Sequence, residues 1–231
     1  MTLKTALVTG GSRGFGLALA HALVDDGWTV VVDGRDEPDL RSAERSVPGL
    51  IVVPGNVEDP AHRRALADTV SARGPLQLLV NNASSLGPSP LPDLLDLAPD
   101  ALSALLEVNV VAPLALVQEL APQLGPDAVV VDVSSDAAVE AYPGWGGYGA
   151  SKAALDQLTR VLAVERPGLR VYAFDPGDMR TGMHQAAYPG EDISDRPLPE
   201  TVAVPALLRL LAEQPASGRY RAEELAPRVS A

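Results

Sequence analysis

The chain has 231 residues, 46% of them hydrophobic and 21% charged, which is enough for one sizeable core. It has no cysteine, which excludes disulfides, thiolate metal sites and a cysteine nucleophile. A formal net charge of -12 argues against nucleic acid or an anionic membrane surface as a partner, so any bound phosphate must be gripped locally.

In chain order, residues 5–9 form a short apolar run that ends in glycines, and residues 15–24 follow with helical spacing. The pattern repeats with a β-branched strand at 29–33, a charged link, a strand at 50–54 and a helix at 61–72. A fourth strand is expected at 76–80. Residues 102–120 read as a long helix in which Pro113 predicts a kink or break. Further strands are expected at 128–133 and 169–174, separated by a helix that starts near Tyr148, with a last edge strand at 218–221. Continuous apolar strands alternating with helices imply right-handed crossovers and a parallel sheet covered on both faces. The expectation is therefore an α/β fold of about seven strands, doubly wound, in one domain spanning 1–231. Residues 87–92 and 178–199 break the rhythm as loops, the second long enough to cover a site. No apolar stretch is seen that approaches the roughly 20 residues needed to cross a bilayer. No apolar run follows Lys4 as in a leader segment, so a cytoplasmic protein is expected.

Three stretches carry chemistry. The first is Thr9-Gly10-Gly11-Ser12-Arg13-Gly14-Phe15-Gly16, between the first strand and the first helix. Its glycines suit a tight turn, a diphosphate at a helix N-terminus and close helix–sheet packing; an ordinary glycine turn is the plainer alternative. The second is Asp33-Gly34-Arg35, at the end of the second strand. An acidic group there suits a ribose 2'-hydroxyl and an arginine suits a 2'-phosphate, so Arg35, with Arg13 nearby, favours NADP(H) over NAD(H) unless both arginines are merely solvated. The third is Tyr148 and Lys152, one helical turn apart, where a lysine charge is expected to lower the pKa of the phenol and make it a proton donor.

Taken together, these residues resemble the short-chain dehydrogenases/reductases over nearly the whole chain. Gly10, Gly14 and Gly16 match that family's cofactor turn, Asn81-Asn82-Ala83 its Asn-Asn-Ala motif, and Asn109 its catalytic asparagine. Tyr148 and Lys152 match the Tyr-x-x-x-Lys pair, Ser135 stands thirteen residues before the tyrosine, and Pro176-Gly177 with Thr181 match the segment bordering the nicotinamide. The resemblance implies a Rossmann-like fold. Gly10, Ser12, Arg13, Gly14, Phe15, Gly16, Arg35, Asn56, Val57, Asn82, Ala83, Tyr148, Lys152, Pro176, Gly177 and Thr181 would hold NADP(H). It further implies that Ser135, rather than the neighbouring Ser134, bonds the substrate oxygen, that Tyr148 carries the proton, and that Lys152 holds the ribose while depressing the tyrosine pKa. Asn109 would hold a water in a proton relay. The implied partner is a small carbonyl or alcohol, with dimerisation or tetramerisation through the helices around 102–120 and 153–164.

The sequence also departs from the family. Asn56 replaces the usual aspartate, Ser84 the glycine after Asn-Asn-Ala and Tyr172 an asparagine, while Gly218-Arg219-Tyr220-Arg221 replaces a glycine-rich ending. His21, His62 and His184 show no ligand spacing, so no metal is expected, and His184 reads as a solvated loop residue. Tyr142, Trp145, Met179, Met183 and Tyr188 are candidates to wall the pocket, and Asp136, Glu140 and Asp178 hint at a positive or hydroxyl-rich substrate. Two other readings stay open: a sensor of the NADP(H) ratio, and an epimerase or dehydratase of the same fold.

Overall fold

The computed structural model describes residues 4–225. The strands β1 (Thr5–Val8), β2 (Thr29–Gly34), β3 (Ile51–Pro54), β4 (Leu76–Asn81), β5 (Leu124–Val133), β6 (Arg170–Asp175) and β7 (Gly218–Arg221) form one parallel sheet. Their order is β3-β2-β1-β4-β5-β6-β7. The order reverses between β1 and β4, and a ligand crevice is expected there, outside the carboxyl ends of the strands.

Both faces of the sheet are covered, which is why its strands read as unbroken apolar runs. Side chains still alternate along each strand. Ala6, Val8, Val30, Val32, Val129 and Val131 pack on one face with Leu19 and Leu23 of α1 (Gly14–Asp25) and Leu207 and Leu210 of α8 (Ala203–Glu213). Leu7, Val31, Leu79 and Val130 face the other side, against Leu66 and Val70 of α3 (Pro60–Ser71) and Leu116 and Leu120 of α5 (Ala112–Leu120). Helix α6 (Gly146–Glu165) joins that second layer through Leu162 and Ala163.

Four sequence expectations are corrected. The charged link is a helix, α2 (Glu37–Ser46), in which Asp36 caps the Asp39 amide, Pro38 sits in the first turn, and only Leu40 and Ala43 are buried. Two apolar contacts are too few to reveal a period. The segment 178–199 carries a short helix, α7 (Gly182–Ala187), capped by Thr181 Oγ1 and with no fully buried residue of its own. Pro113 does not break its helix. Helix α4 (Pro99–Leu106) runs through a π turn at Glu107–Val111 into α5, with Ala112 donating to the Glu107 carbonyl, so the irregularity falls just before the proline and gives its ring room. The resulting rod, Pro99–Leu120, has 22 residues and a mean hydropathy of 1.7, long and apolar enough to cross a membrane by length and composition. Here Leu105, Leu116 and Leu120 are buried within the fold.

Candidate active site

A cavity of about 750 Å³ opens at the switch point, over the carboxyl ends of β1, β2, β4, β5 and β6. Of the residues picked out from sequence, Gly10, Ser12, Arg13, Gly14, Phe15, Gly16, Arg35, Asn56, Val57, Asn82, Ala83, Ser135, Tyr148, Lys152, Pro176, Gly177 and Thr181 all line it. Asn109 does not.

One end is built from the turn after β1. Gly10 has φ +64°, and a Cβ there would lie 2.9 Å from the Ala83 Cα; a Cβ on Gly16 would lie 2.5 Å from Asn82 Nδ2. Both positions therefore exclude a side chain. Asn82 is a cross-tie: its Nδ2 donates to the carbonyls of Thr9 and Gly10, at 2.8 and 3.1 Å. Arg13, at the N-cap of α1, makes no side-chain cap bond, so the amides of the first turn are left for an anion. Phe15 contributes to the wall, and its ring lies in the core, stacked on Phe174 at 6.1 Å. Asp33 is buried and committed. Its Oδ1 accepts from the Gly10 amide at 2.7 Å and its Oδ2 pairs with His62 Nε2 at 2.9 Å. Each oxygen already has a partner, and the exposed Arg13 and Arg35 flank the same end of the cavity. The residues present thus fit a nicotinamide dinucleotide. Asn56 bonds Glu58 at 2.7 Å, and Val57 is buried beside it.

The other end is built from β4, β5 and α6. Tyr148 and Lys152 are buried on one face of α6, with the lysine Nζ 5.6 Å from the tyrosine ring centre. The expected lowering of the tyrosine pKa is reversed: burial pushes the phenol well above its usual range, Asp175 and Asp136 add to the rise, and only the Ser84 hydroxyl acts the other way. Burial also lowers Lys152 to about 8, against the pull of Asp132 and Asp156. Its ammonium donates to the Val133 carbonyl at 2.8 Å. A lysine whose own charge is costly, and whose proton is directed at a carbonyl, does little for the phenol.

Ser135 Oγ donates to Asp136 Oδ1 at 2.9 Å and accepts from the Ala137 amide, while Tyr142 donates to the other Asp136 oxygen at 3.0 Å. Ser134 is buried and its hydroxyl is unpaired. The Asn109 side chain is fully occupied: Oδ1 accepts from Ser84 Oγ and the Ser85 amide, and Nδ2 donates to the Ser85 carbonyl and Ser151 Oγ. Pro113, four residues on, has no N–H to offer the Asn109 backbone carbonyl.

The wall of the substrate end is largely apolar, formed by Leu86, Val108, Trp145, Met179, Met183, Ala186 and Ala187. Tyr142 and Tyr188 stand behind it rather than in it; Tyr188 packs on Trp145 and on His184. His184 is not solvated: its side chain is 9% exposed, with Nδ1 3.7 Å from Asp178. Asp178 also pairs with Arg196 at 3.3 Å, whereas Asp136 is held by neutral donors alone; both line the cavity and Glu140 does not. Three residues with positions in this machinery escaped the sequence reading as functional: His62, Ser84 and Arg219. Ser84 and Arg219 were visible only as departures from a pattern.

A glycine turn at the switch point of a parallel sheet, facing a buried Tyr-x-x-x-Lys pair across one cavity, defines a Rossmann-type dinucleotide-binding protein. A family model for short chain dehydrogenases matches residues 4–192. The chain belongs to the short-chain dehydrogenases/reductases, a family of oxidoreductases that use a nicotinamide cofactor. It is 33% identical over 182 residues to L-fucose dehydrogenase of Mus musculus, a match covering 77% of this chain and 66% of the relative, just under two thirds of its length. It is 35% identical over 190 residues to L-xylulose reductase of Bos taurus, covering 80% and 75%. Among solved structures it superposes on a short chain dehydrogenase from Pseudomonas syringae with TM-score 0.88 at 33% identity, covering 94% and 93% of the two chains. A short chain dehydrogenase from Escherichia coli CFT073, complexed with NADPH, gives 0.87 at 28%, covering 96% and 98%.

Proposed function

We propose that the protein is an NADP(H)-dependent oxidoreductase that interconverts a carbonyl and an alcohol, with Tyr148 as the proton donor and acceptor. The observation that carries this reading is the buried Tyr148–Lys152 pair opposite a glycine turn whose neighbouring carboxylate, Asp33, is already spent on Gly10 and His62. Arg35, and Arg13 once it leaves the exposed Asp39 it pairs with at 3.4 Å, are then the groups available to a 2'-phosphate. The NADPH-bound structural relative supports the same choice. When bound, NADPH supplies the hydride.

The chain's own residues supply the rest. Tyr148, held neutral by burial, gives its proton to the substrate oxygen in reduction and takes it back in oxidation. Ser135 turns its hydroxyl from Asp136 to the same oxygen. Lys152 leaves the Val133 carbonyl for ribose hydroxyls, and its charge then stabilises the phenolate as it forms. The Asn109 carbonyl holds the water that returns the proton. The apolar wall suits a substrate whose carbonyl sits on an apolar body. Exposed Val111 and Leu114 on one helical layer and Val161 and Val164 on α6 support pairing with a second copy, which light scattering on the purified protein checks.

The test of the activity is direct. With NADPH and a panel of aliphatic and aromatic ketones and aldehydes, the purified protein oxidises the cofactor, and Tyr148→Phe lowers the rate by about a hundredfold or more. Turnover in Tyr148→Phe within about tenfold of the parent overturns the mechanism; binding of NADPH with no turnover of any carbonyl or alcohol overturns the enzyme reading.

A further inference from the structure

Arg219, on the edge strand β7, does not line the cavity, yet its guanidinium reaches across β6 to the backbone of the site. Nη2 donates to the Ser135 carbonyl at 2.9 Å and to Asp175 Oδ2 at 2.9 Å, and Nε donates to Asp156 Oδ2 at 3.1 Å. The arginine side chain is 22% exposed, and the two carboxylates are 6% and 3% exposed. Each anchor belongs to a different part of the site: Asp156 lies one turn beyond Lys152 on α6, and Asp175 ends β6, where its other oxygen takes the Gly177 amide at 3.0 Å.

We propose that Arg219 is a positioning residue that acts through Ser135. The carboxylates of Asp156 and Asp175 fix the plane of the guanidinium, and the guanidinium fixes the carbonyl of Ser135, so that a strand remote from substrate sets where the Ser135 hydroxyl points. The inference rests on the role given to Ser135 under the proposed function. A planar fork is what the task requires, because three acceptors on three segments are met at once; the single ammonium of a lysine offers no such fixed fork. Ser135 needs this support. It opens a one-turn 3-10 segment, Asp136–Ala138, and its hydroxyl has Asp136 as a competing acceptor, so a small rotation of its backbone decides whether the proton faces the substrate oxygen or the carboxylate. Misplacement by about 1 Å in such a site costs on the order of a hundredfold in rate.

The test is a double-mutant cycle of Arg219→Lys with Ser135→Ala, measured on the best carbonyl substrate of the panel with NADPH. Arg219→Lys keeps a cation between two buried carboxylates, so thermal unfolding and the Kd for NADPH are expected to stay close to those of the parent. Its kcat is expected to fall on the order of tenfold to a hundredfold. In the Ser135→Ala background the same change is expected to cost less than about threefold, because the hydroxyl it orients is gone. Equal losses in both backgrounds, or a Kd for NADPH that weakens in step with kcat, overturn the proposal while leaving Ser135 its role. If Ser135→Ala alone leaves kcat intact, the role of Ser135 falls and the proposal falls with it. Should Arg219→Lys fail to fold, Asp156→Asn loosens one anchor with the arginine kept and takes its place in the cycle, judged on the kcat coupling to Ser135→Ala alone because Asp156 also acts on Lys152.

Discussion

The two ends of the cavity are held in different ways. At the cofactor end, polar groups are tied to backbone: Asn82 to the carbonyls of Thr9 and Gly10, Asp33 to the Gly10 amide, with glycines where any Cβ would collide. At the carbonyl end, bonds to backbone are joined by a run of side chains that hold one another. Ser135 leans on Asp136, which also takes the Tyr142 hydroxyl, Ser84 on Asn109, Asn109 on Ser151, and helix α7 closes over them with no buried residue of its own. A backbone-tied site has one geometry and suits a ligand of fixed shape. A chain of hydroxyls and carboxylates has several, separated by small rotations, and suits a step in which a proton must move.

That contrast is sharpest in the response to single substitutions. The largest effect belongs to the carbonyl end, where Tyr148→Phe is expected to lower kcat by roughly 10²- to 10⁴-fold, the range of a general acid. The Kd for NADPH, read by fluorescence, should stay within about twofold; a parallel loss of binding would show that the two ends are not separable.

Asp33→Ala is the counterpart at the cofactor end. It strands the Gly10 amide and the buried His62 imidazole, so stability should fall by about 1–3 kcal/mol in chemical denaturation. NADPH should bind more weakly, while kcat at saturating NADPH is retained. A kcat loss at saturation would mean that the turn also sets the carbonyl geometry. Arg35→Ala is gentler: NADPH is expected to bind on the order of tenfold more weakly, as for one lost charge-assisted bond, with NADH binding unchanged. Equal effects on both cofactors would remove Arg35 from the 2'-phosphate site.

The same division explains what could be read in advance. The sheet and the glycine turn were legible because doubly covered strands are continuous apolar runs and a diphosphate turn tolerates few residues other than glycine at fixed spacing. Position, too, was legible at Tyr148 and Lys152, which are a helical turn apart in any helix. Their electrostatics were not. Spacing gives proximity, whereas the rise in Tyr148 and the fall in Lys152 come from burial by residues far away in the chain. Helix α2 was missed because it buries only two residues. His62 and Arg219 act at 29 and 84 residues from Asp33 and Ser135, separations at which a sequence carries no local signal. His184 looked solvated because it falls in a stretch that reads as a surface loop, and in space it packs on Tyr188.

The smallest expected effect is also the finest probe of the carbonyl end. The Ser84 hydroxyl is the one neighbour that lowers the pKa of Tyr148, against burial, Asp175 and Asp136, and it does so only by turning its proton from Asn109 Oδ1 to the phenolate. Ser84→Gly restores the residue usual in the family and removes that influence. Asn109 Oδ1 keeps the Ser85 amide, so the π turn should hold. Alcohol oxidation requires the phenolate, and its rate rises with pH as the phenol ionises. With the tyrosine pKa raised further, that limb should move to higher pH, by less than about one unit as suits a single neutral hydrogen bond. Carbonyl reduction requires the neutral phenol, which is present throughout the neutral range in both forms, so its rate near pH 7 should hardly change. In the absence of cofactor, Lys152 loses its charge above about pH 8 in either form, which gives an internal reference: NADPH binding should weaken over the same range in both proteins. An oxidation limb that stays put, or moves to lower pH, would mean that the Ser84 hydroxyl serves Asn109 alone and that the tyrosine is tuned entirely by burial and its acidic neighbours.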